Sequence, residues 1–252
     1  MNAKPLSSLA RLLFILLALL LSGCVWLRLL EIKNQLAEFD DNVRIEVANR
    51  HFIVHLLRPV LLSEDFTYLS KLNPSRVEPL PGGAYRWYLD FRIDPARTPE
   101  QKARRVSFVM TWTPRNRLAS FDFSPLFMEM APAAFLEASI RSLGVGKVDQ
   151  DRKQLKVDPE DLPRLTASLP KAGDILSVMG PPLEDHRQDG LRLLVYRFLA
   201  ESQPVEPEYE ARRVAEAKLY FDARKDELIR LKGQFAGLKL SIDYRKLTGQ
   251  AP

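Results

Sequence analysis

The sequence holds a single cysteine, Cys24, in 252 residues. One chain therefore forms no disulfide, and stability has to come from packing. Histidine is nearly as scarce, with three residues, His51, His55 and His186. His51 and His55 lie in a stretch whose alternation predicts a strand, where they share a face about 13 Å apart at roughly 3.3 Å per residue, too far for one ion. His186 falls in a polar turn with Glu184 and Asp185. No Gly-x-Ser-x-Gly elbow occurs, and the one Ser-x-x-Lys spacing, Ser168 to Lys171, is interrupted by Pro170 and has no partner motif. Gly82-Gly83 is not followed by Lys-Ser or Lys-Thr, so it is not a phosphate loop. The carboxylate pairs Asp40-Asp41 and Glu64-Asp65 sit at a turn and a helix start, where solvated acids are usual. These absences leave no catalytic constellation, metal site or cofactor motif, and a non-enzymatic chain without a cofactor is expected.

What is present begins at the amino terminus. Lys4 and Arg11 precede an apolar run from Leu12 to Leu21, and the small residues Ser22 and Gly23 lead to Cys24. A charged start, an apolar stretch and a small-residue break make a secretory signal. Leu21-Ser22-Gly23-Cys24 resembles the lipobox of bacterial lipoproteins. That resemblance implies cleavage between Gly23 and Cys24, with diacylglycerol on the thiol and a further acyl chain, such as palmitate, on the new amino terminus. One acyl chain holds a membrane weakly, whereas two or three anchor stably. An uncleaved transmembrane helix is the alternative, but Leu12 to Leu27 offers fewer than the roughly 20 apolar residues a span needs. Removing residues 1–23 leaves 229 residues with net charge +3 instead of +5, nearly balanced, so no nucleic acid partner is implied. Val25, where an Asp would retain the protein at the inner membrane, resembles the pattern sent on to the outer membrane. The expected location is its periplasmic face, with the periplasmic face of the inner membrane as the alternative.

Residues 24–41 are expected to form the lipid anchor and an amphipathic helix, with Leu29, Ile32, Leu36 and Phe39 on one stripe. The period then changes to two. Val43–Ala48 and Phe52–Leu57 predict a hairpin around Asn49-Arg50, Ser63 predicts the cap of a helix ending at Asn73-Pro74, and three strands follow in a meander. Pro132 predicts the opening of a helix that ends on Gly144. A first α+β domain is thus expected over 42–144.

The second half, 145–252, repeats this order. Lys147–Gln150 and Gln154–Val157 answer the first hairpin. Leu176-Ser177 answers Leu69-Ser70, Tyr196-Arg197-Phe198 answers Tyr85-Arg86-Trp87, and Ala211-Arg212-Arg213-Val214 answers Ala103-Arg104-Arg105-Val106. The expected fold class is α+β, a tandem repeat of two small antiparallel-sheet-plus-helix domains after a lipoprotein signal peptide. Residues 236–247 suit a strand by alternation and a helix by correspondence with Phe135–Leu143, and both stay open.

The candidate partner-binding residues are the paired arginines Arg104, Arg105, Arg212 and Arg213, which open strands in both halves, and Glu206 and Glu208 in the Pro- and Glu-rich loop from Glu201 to Glu210. Phe127, Met128 and Met130 would instead serve a carrier for a lipid or other amphiphile. At Ile175, Met179, Gly180 and Pro182, followed by a strand carrying Tyr196 and Phe198, the second half resembles the SmpA/OmlA (BamE-type) outer-membrane lipoproteins. That resemblance implies an α+β sandwich, a lipid anchor and a protein partner in outer-membrane assembly. Where that family opens the helix with Gly and a capping Thr, this chain has Leu169 and Lys171.

Overall fold

A computed structural model describes residues 25–94, 104–149, 154–156 and 164–249. Gly23, Cys24 and the signal segment lie outside the described residues, as do Ala103 and the turn Asp151-Arg152. The chain opens with helix α1, residues 25–37, and the short helix α2 (Phe39–Asn42). The first-half elements follow: β1 (Val43–Ala48), β2 (His51–Leu56), α3 (Ser63–Ser70), β3 (Arg76–Pro79), β4 (Tyr85–Ile93), β5 (Arg105–Trp112), β6 (Leu118–Phe123), α4 (Pro125–Met130) and α5 (Ala133–Val145). The second half contributes β7 (Lys147–Asp149), β8 (Gln154–Lys156), α6 (Ala172–Met179), β9 (Glu184–Gln188), β10 (Leu191–Ala200), β11 (Val214–Asp222), β12 (Glu227–Phe235), β13 (Leu238–Asp243) and α7 (Tyr244–Thr248). Among the described residues no helix is long and apolar enough to cross a membrane.

Among the described residues eleven strands form one antiparallel sheet in the order β1-β2-β6-β5-β4-β10-β11-β12-β13, with β3 beside β4 and β9 beside β10. Alternation sends one set of side chains inward and the other outward, as along β11, where Ala215, Ala217, Leu219 and Phe221 are buried. The sheet curls over this inner face. Phe235 of β12 meets Phe198 of β10 at 5.3 Å and Phe91 of β4 at 5.3 Å, although whole strands intervene. Small residues make that possible. Ala200 stands opposite Phe91, and Ala215 stands opposite Phe198, so rings from neighbouring strands close over methyl groups. Phe127 of α4 fills the hollow, 5.4 Å from Phe108 and 6.1 Å from Phe235. The stripe of α1 and α2 covers the same core, with Leu36 and Phe39 buried and Leu29 and Ile32 packed against it.

The two halves share an element order, helix then four strands, and join edge to edge through β4 and β10. Among the described residues that ladder pairs Ile93 with Phe198, Arg92 with Leu199, and Phe91 with Ala200, and bonds from Asp94 N to Arg197 O (2.9 Å) and from Glu201 N to Asp90 O (2.8 Å) flank it. The halves also share local bonding. In the first, Ser63 N donates to Asn116 O (3.0 Å) and Leu118 N to Leu61 O (2.8 Å); in the second, Ala172 N donates to Asp226 O (3.2 Å) and Leu228 N to Pro170 O (2.8 Å). Asn116 and Asp226 both take left-handed backbone conformations. The β5–β6 register slips between Thr111 and Trp112, and the β11–β12 register slips 109 positions later, between Tyr220 and Phe221.

This register revises several expected correspondences. Phe198 takes the place of Phe91, not of Trp87, because both then face inward beside the join. The arginine pairs do not share a register: Arg105 lies opposite Arg92 across β4–β5, whereas Val214 lies opposite Leu199 across β10–β11. The first hairpin, β1–β2, belongs to the large sheet, whereas β7–β8 forms a sheet of its own; β13 takes the place beside β12 that β2 takes beside β6. Residues 236–247 are neither all strand nor all helix: β13 pairs with β12, and Asp243 then caps α7 by accepting from Lys246 N.

Local signals also shift. Ser63 is the first residue of α3 rather than its cap, and Asp65 accepts from Leu62 N instead (2.9 Å). Lys71, at φ 59°, ends α3 before Asn73 is reached. Pro125 opens a separate helix, α4, before Pro132 precedes α5. Gly144 does not end α5, which runs on to Val145. A Cβ there would lie 2.2 Å from Leu36 O and 2.4 Å from Ala37 N, so Gly144 lets α5 touch the backbone of α1.

Candidate functional site

The four candidate arginines gather where β4, β5, β10 and β11 meet. Arg105 grips Glu201 with two bonds, Nε to Oε2 at 2.6 Å and Nη2 to Oε1 at 3.0 Å, and Arg92 Nε approaches the same carboxylate at 3.9 Å. Donating to Glu201, and then the charge of that carboxylate, push the Arg105 guanidinium further above its ordinary range. Arg213 spans Glu210 (2.5 Å) and the Ala200 carbonyl (3.1 Å). Arg212 packs over the β12–β13 turn, where a Cβ on Gly237 would lie 2.1 Å from its Nη1. Arg104 is half-buried, and its Nη1 has no hydrogen-bond partner among the described residues. Arg105 thus bonds across the seam to Glu201, whereas the contacts of Arg212 and Arg213 lie within the second half.

The loop from Glu201 to Glu210 runs into a 3-10 turn, Pro207–Arg213, in which Pro207 fixes the first φ and amides donate to the carbonyl three residues earlier, as Tyr209 N does to Glu206 O (3.0 Å). Glu206 and Glu208 are exposed on this arm, and Tyr209 receives Lys71 over its ring at 4.9 Å.

The arm borders a feature that the sequence reading did not single out. On the outer face of β11, β12 and β13 lies an open groove of about 560 Å³, lined by residues that include Val214, Lys218, Lys232, Gln234, Lys239 and Ser241. Register places Lys218 opposite Lys232, and Gln234 opposite Lys239. Like charges facing each other across a ladder cost stability unless something offsets them. Glu216 offsets one: it lies 3.0 Å from Lys218 Nζ, and its hydrogen bond, then its charge, raise that ammonium above its ordinary range. The Tyr220 ring lies 5.7 Å from Lys232 Nζ, long for a cation–π contact, and Lys239 is exposed. The outward alternation of these lysines was legible, but their convergence needed the pairing of three strands.

Elsewhere the outer face is knitted by internal pairs. His51 Nδ1 meets Asp122 at 3.0 Å, and burial of Asp122 raises its carboxyl above the usual range. His55 Nε2 meets Glu46 at 2.9 Å. Among the described residues no group of three His, Cys, Asp or Glu converges. Phe127 and Met130 are spent on the core, and Tyr244 of α7, fully buried, donates to the Met130 carbonyl. Burial raises the Tyr244 hydroxyl pKa well above its ordinary value.

Compared with known proteins, the chain matches no family model, no curated protein and no solved structure.

Proposed function

We propose that this chain is a non-catalytic lipoprotein, acylated at Cys24 and held at the periplasmic face of the outer membrane, which binds a protein partner in outer-membrane assembly or maintenance. The lipobox and Val25 support the anchor and the destination. Support for binding comes chiefly from one observation: Lys218, Lys232 and Lys239 converge on an open groove with a single carboxylate, Glu216, paired among them. A fold that tolerates opposed lysines on a solvated face holds a site suited to an acidic surface. The carrier reading is weaker, because Phe127 and Met130 fill the core instead of lining a space.

The same proposal includes an internal duplication. Matched bonding at the two helix starts, matched register slips and a join that treats Phe91 and Phe198 alike support descent of both halves from one α–β–β–β–β unit. The likeness of the second half to the SmpA/OmlA (BamE-type) lipoproteins supports the anchor and the envelope setting, although fold likeness alone does not fix a function.

Photo-crosslinking amino acids placed at Lys232 and Lys239 of the acylated chain, in its own envelope, test this reading. A discrete protein adduct is expected from both positions, absent from a control at exposed Arg187 and lost when Lys218 becomes Glu. Lipid adducts alone, or equal labelling at Arg187, would overturn it.

A further inference from the structure

We infer that the pole of the molecule next to the start of α1 is a second membrane contact, a basic and apolar face that lies on an anionic phospholipid surface. The inference rests on the acylation of Cys24 and deepens it by fixing which way the body faces.

Three segments build the face. The first turn of α1 supplies Leu27 and Arg28, the loop after β2 supplies Leu57 to Leu62, and the β5–β6 turn supplies Pro114 to Arg117. They are stitched together: Leu118 N donates to Leu61 O, Leu62 bridges to Arg117, and Arg117 Nη1 donates to Pro59 O at 3.2 Å. Leu27, Arg28, Glu31, Val60, Leu62 and Arg117 line one shallow depression, and Pro59, Pro114 and Arg115 line the next. Arg28 fastens α1 to this body by gripping the buried Asp65 of α3 with two bonds, Nε to Oδ2 at 2.6 Å among them.

The chemistry suits a bilayer interface. Leu27 is 64% exposed and Leu57 53%, so neither side chain is spent on the core. Arg58 and Arg115 are exposed and meet no carboxylate among the described residues. Set against Arg58, Arg115 and Arg117 are the exposed acids Glu31 and Glu64, so the face keeps a net positive charge. Apolar side chains flanked by arginines are the composition that inserts at headgroup depth beside anionic lipid.

Position makes the occupant specific. Cys24 immediately precedes the described helix, so the acyl chains enter the bilayer beside Leu27. The opposite pole is far away. Because β4 and β10 are antiparallel and overlap only at their last residues, the β5–β6 turn and the β9–β10 turn point in opposite directions.

Nitroxide labels test this in the acylated full chain, reconstituted in phosphatidylethanolamine vesicles containing phosphatidylglycerol. Acylation leaves Cys24 unlabelled, so Leu57→Cys and Arg115→Cys report this pole, and Asp189→Cys and Arg224→Cys report the other. Power saturation is expected to show labels at 57 and 115 favouring oxygen over a nickel chelate, with the reverse at 189 and 224. Replacing Arg58 and Arg117 by Glu should return the label at 57 to water. If the chain floats with vesicles but all four labels are equally wet, this inference falls and the anchor stands. If the chain fails to float, or Cys24 itself takes label, the acylation reading falls and takes this inference with it.

Discussion

At Gly144 the chain has no room for a side chain. In an exposed helix interior, Gly→Ala gains about 1 kcal/mol. Here the added methyl would meet the backbone of Leu36 and Ala37, which cannot rotate aside. Gly144→Ala is therefore expected to lose about 1–3 kcal/mol, the range for overpacking, with the sign of the change as the diagnostic. Urea denaturation of the variant measures it, and a gain in stability would show that α1 is not held against α5. Sequence alone gave this glycine the wrong task. A glycine near a predicted helix end suggests a cap, and only the crossing of two helices 107 positions apart reveals the close approach.

Helix α1 is held by an ion pair as well as by its apolar stripe. Arg28 keeps about a quarter of its side chain in water, while Asp65 is 2% exposed. Removing the arginine alone leaves a buried carboxylate without its counter-charge, a change that costs about 3–5 kcal/mol in fully buried pairs and less here. Arg28→Ala should destabilise by about 2–3 kcal/mol, and adding Asp65→Asn should recover part of the loss. Chemical denaturation of both variants decides it; equal losses would mean that the pair contributes little. The stripe of Leu29, Ile32, Leu36 and Phe39 announced this helix, and period-two alternation announced the hairpin of β1 and β2. Arg28 and Asp65 announced nothing, since partners 37 positions apart on different helices leave no periodic trace. The lysine groove was hidden for the same reason: its members lie on three strands whose register is set by turns at Asp226 and at Ala236-Gly237, not by the lysines themselves.

Strands of both halves lie in one curled sheet, in which Phe235 packs against Phe91 and Phe108 of the first half and Phe198 of the second, and Arg105 crosses the seam to Glu201. A shared core of this kind unfolds together. Trp87 and Trp112 report the first half, no tryptophan lies beyond Trp112, and far-ultraviolet circular dichroism reports the whole. Denaturation followed by both signals should give coincident midpoints, whereas a separated tryptophan transition would show the halves melting independently. Recurring short words were legible in the sequence, but which aromatics face inward was not, since only strand pairing distinguishes an inward aromatic from an outward one.

The three-residue ladder between β4 and β10 has a further consequence. Ile93 meets Phe198 as Phe91 meets Ala200, with Arg92 opposite Leu199, which is how two identical subunits touch about a twofold axis. A half severed from its sibling would bare that strand rim, and an open rim recruits stray chains into aggregates. Carrying both halves in one polypeptide keeps the rim permanently occupied, at any protein concentration and from the moment of synthesis onward.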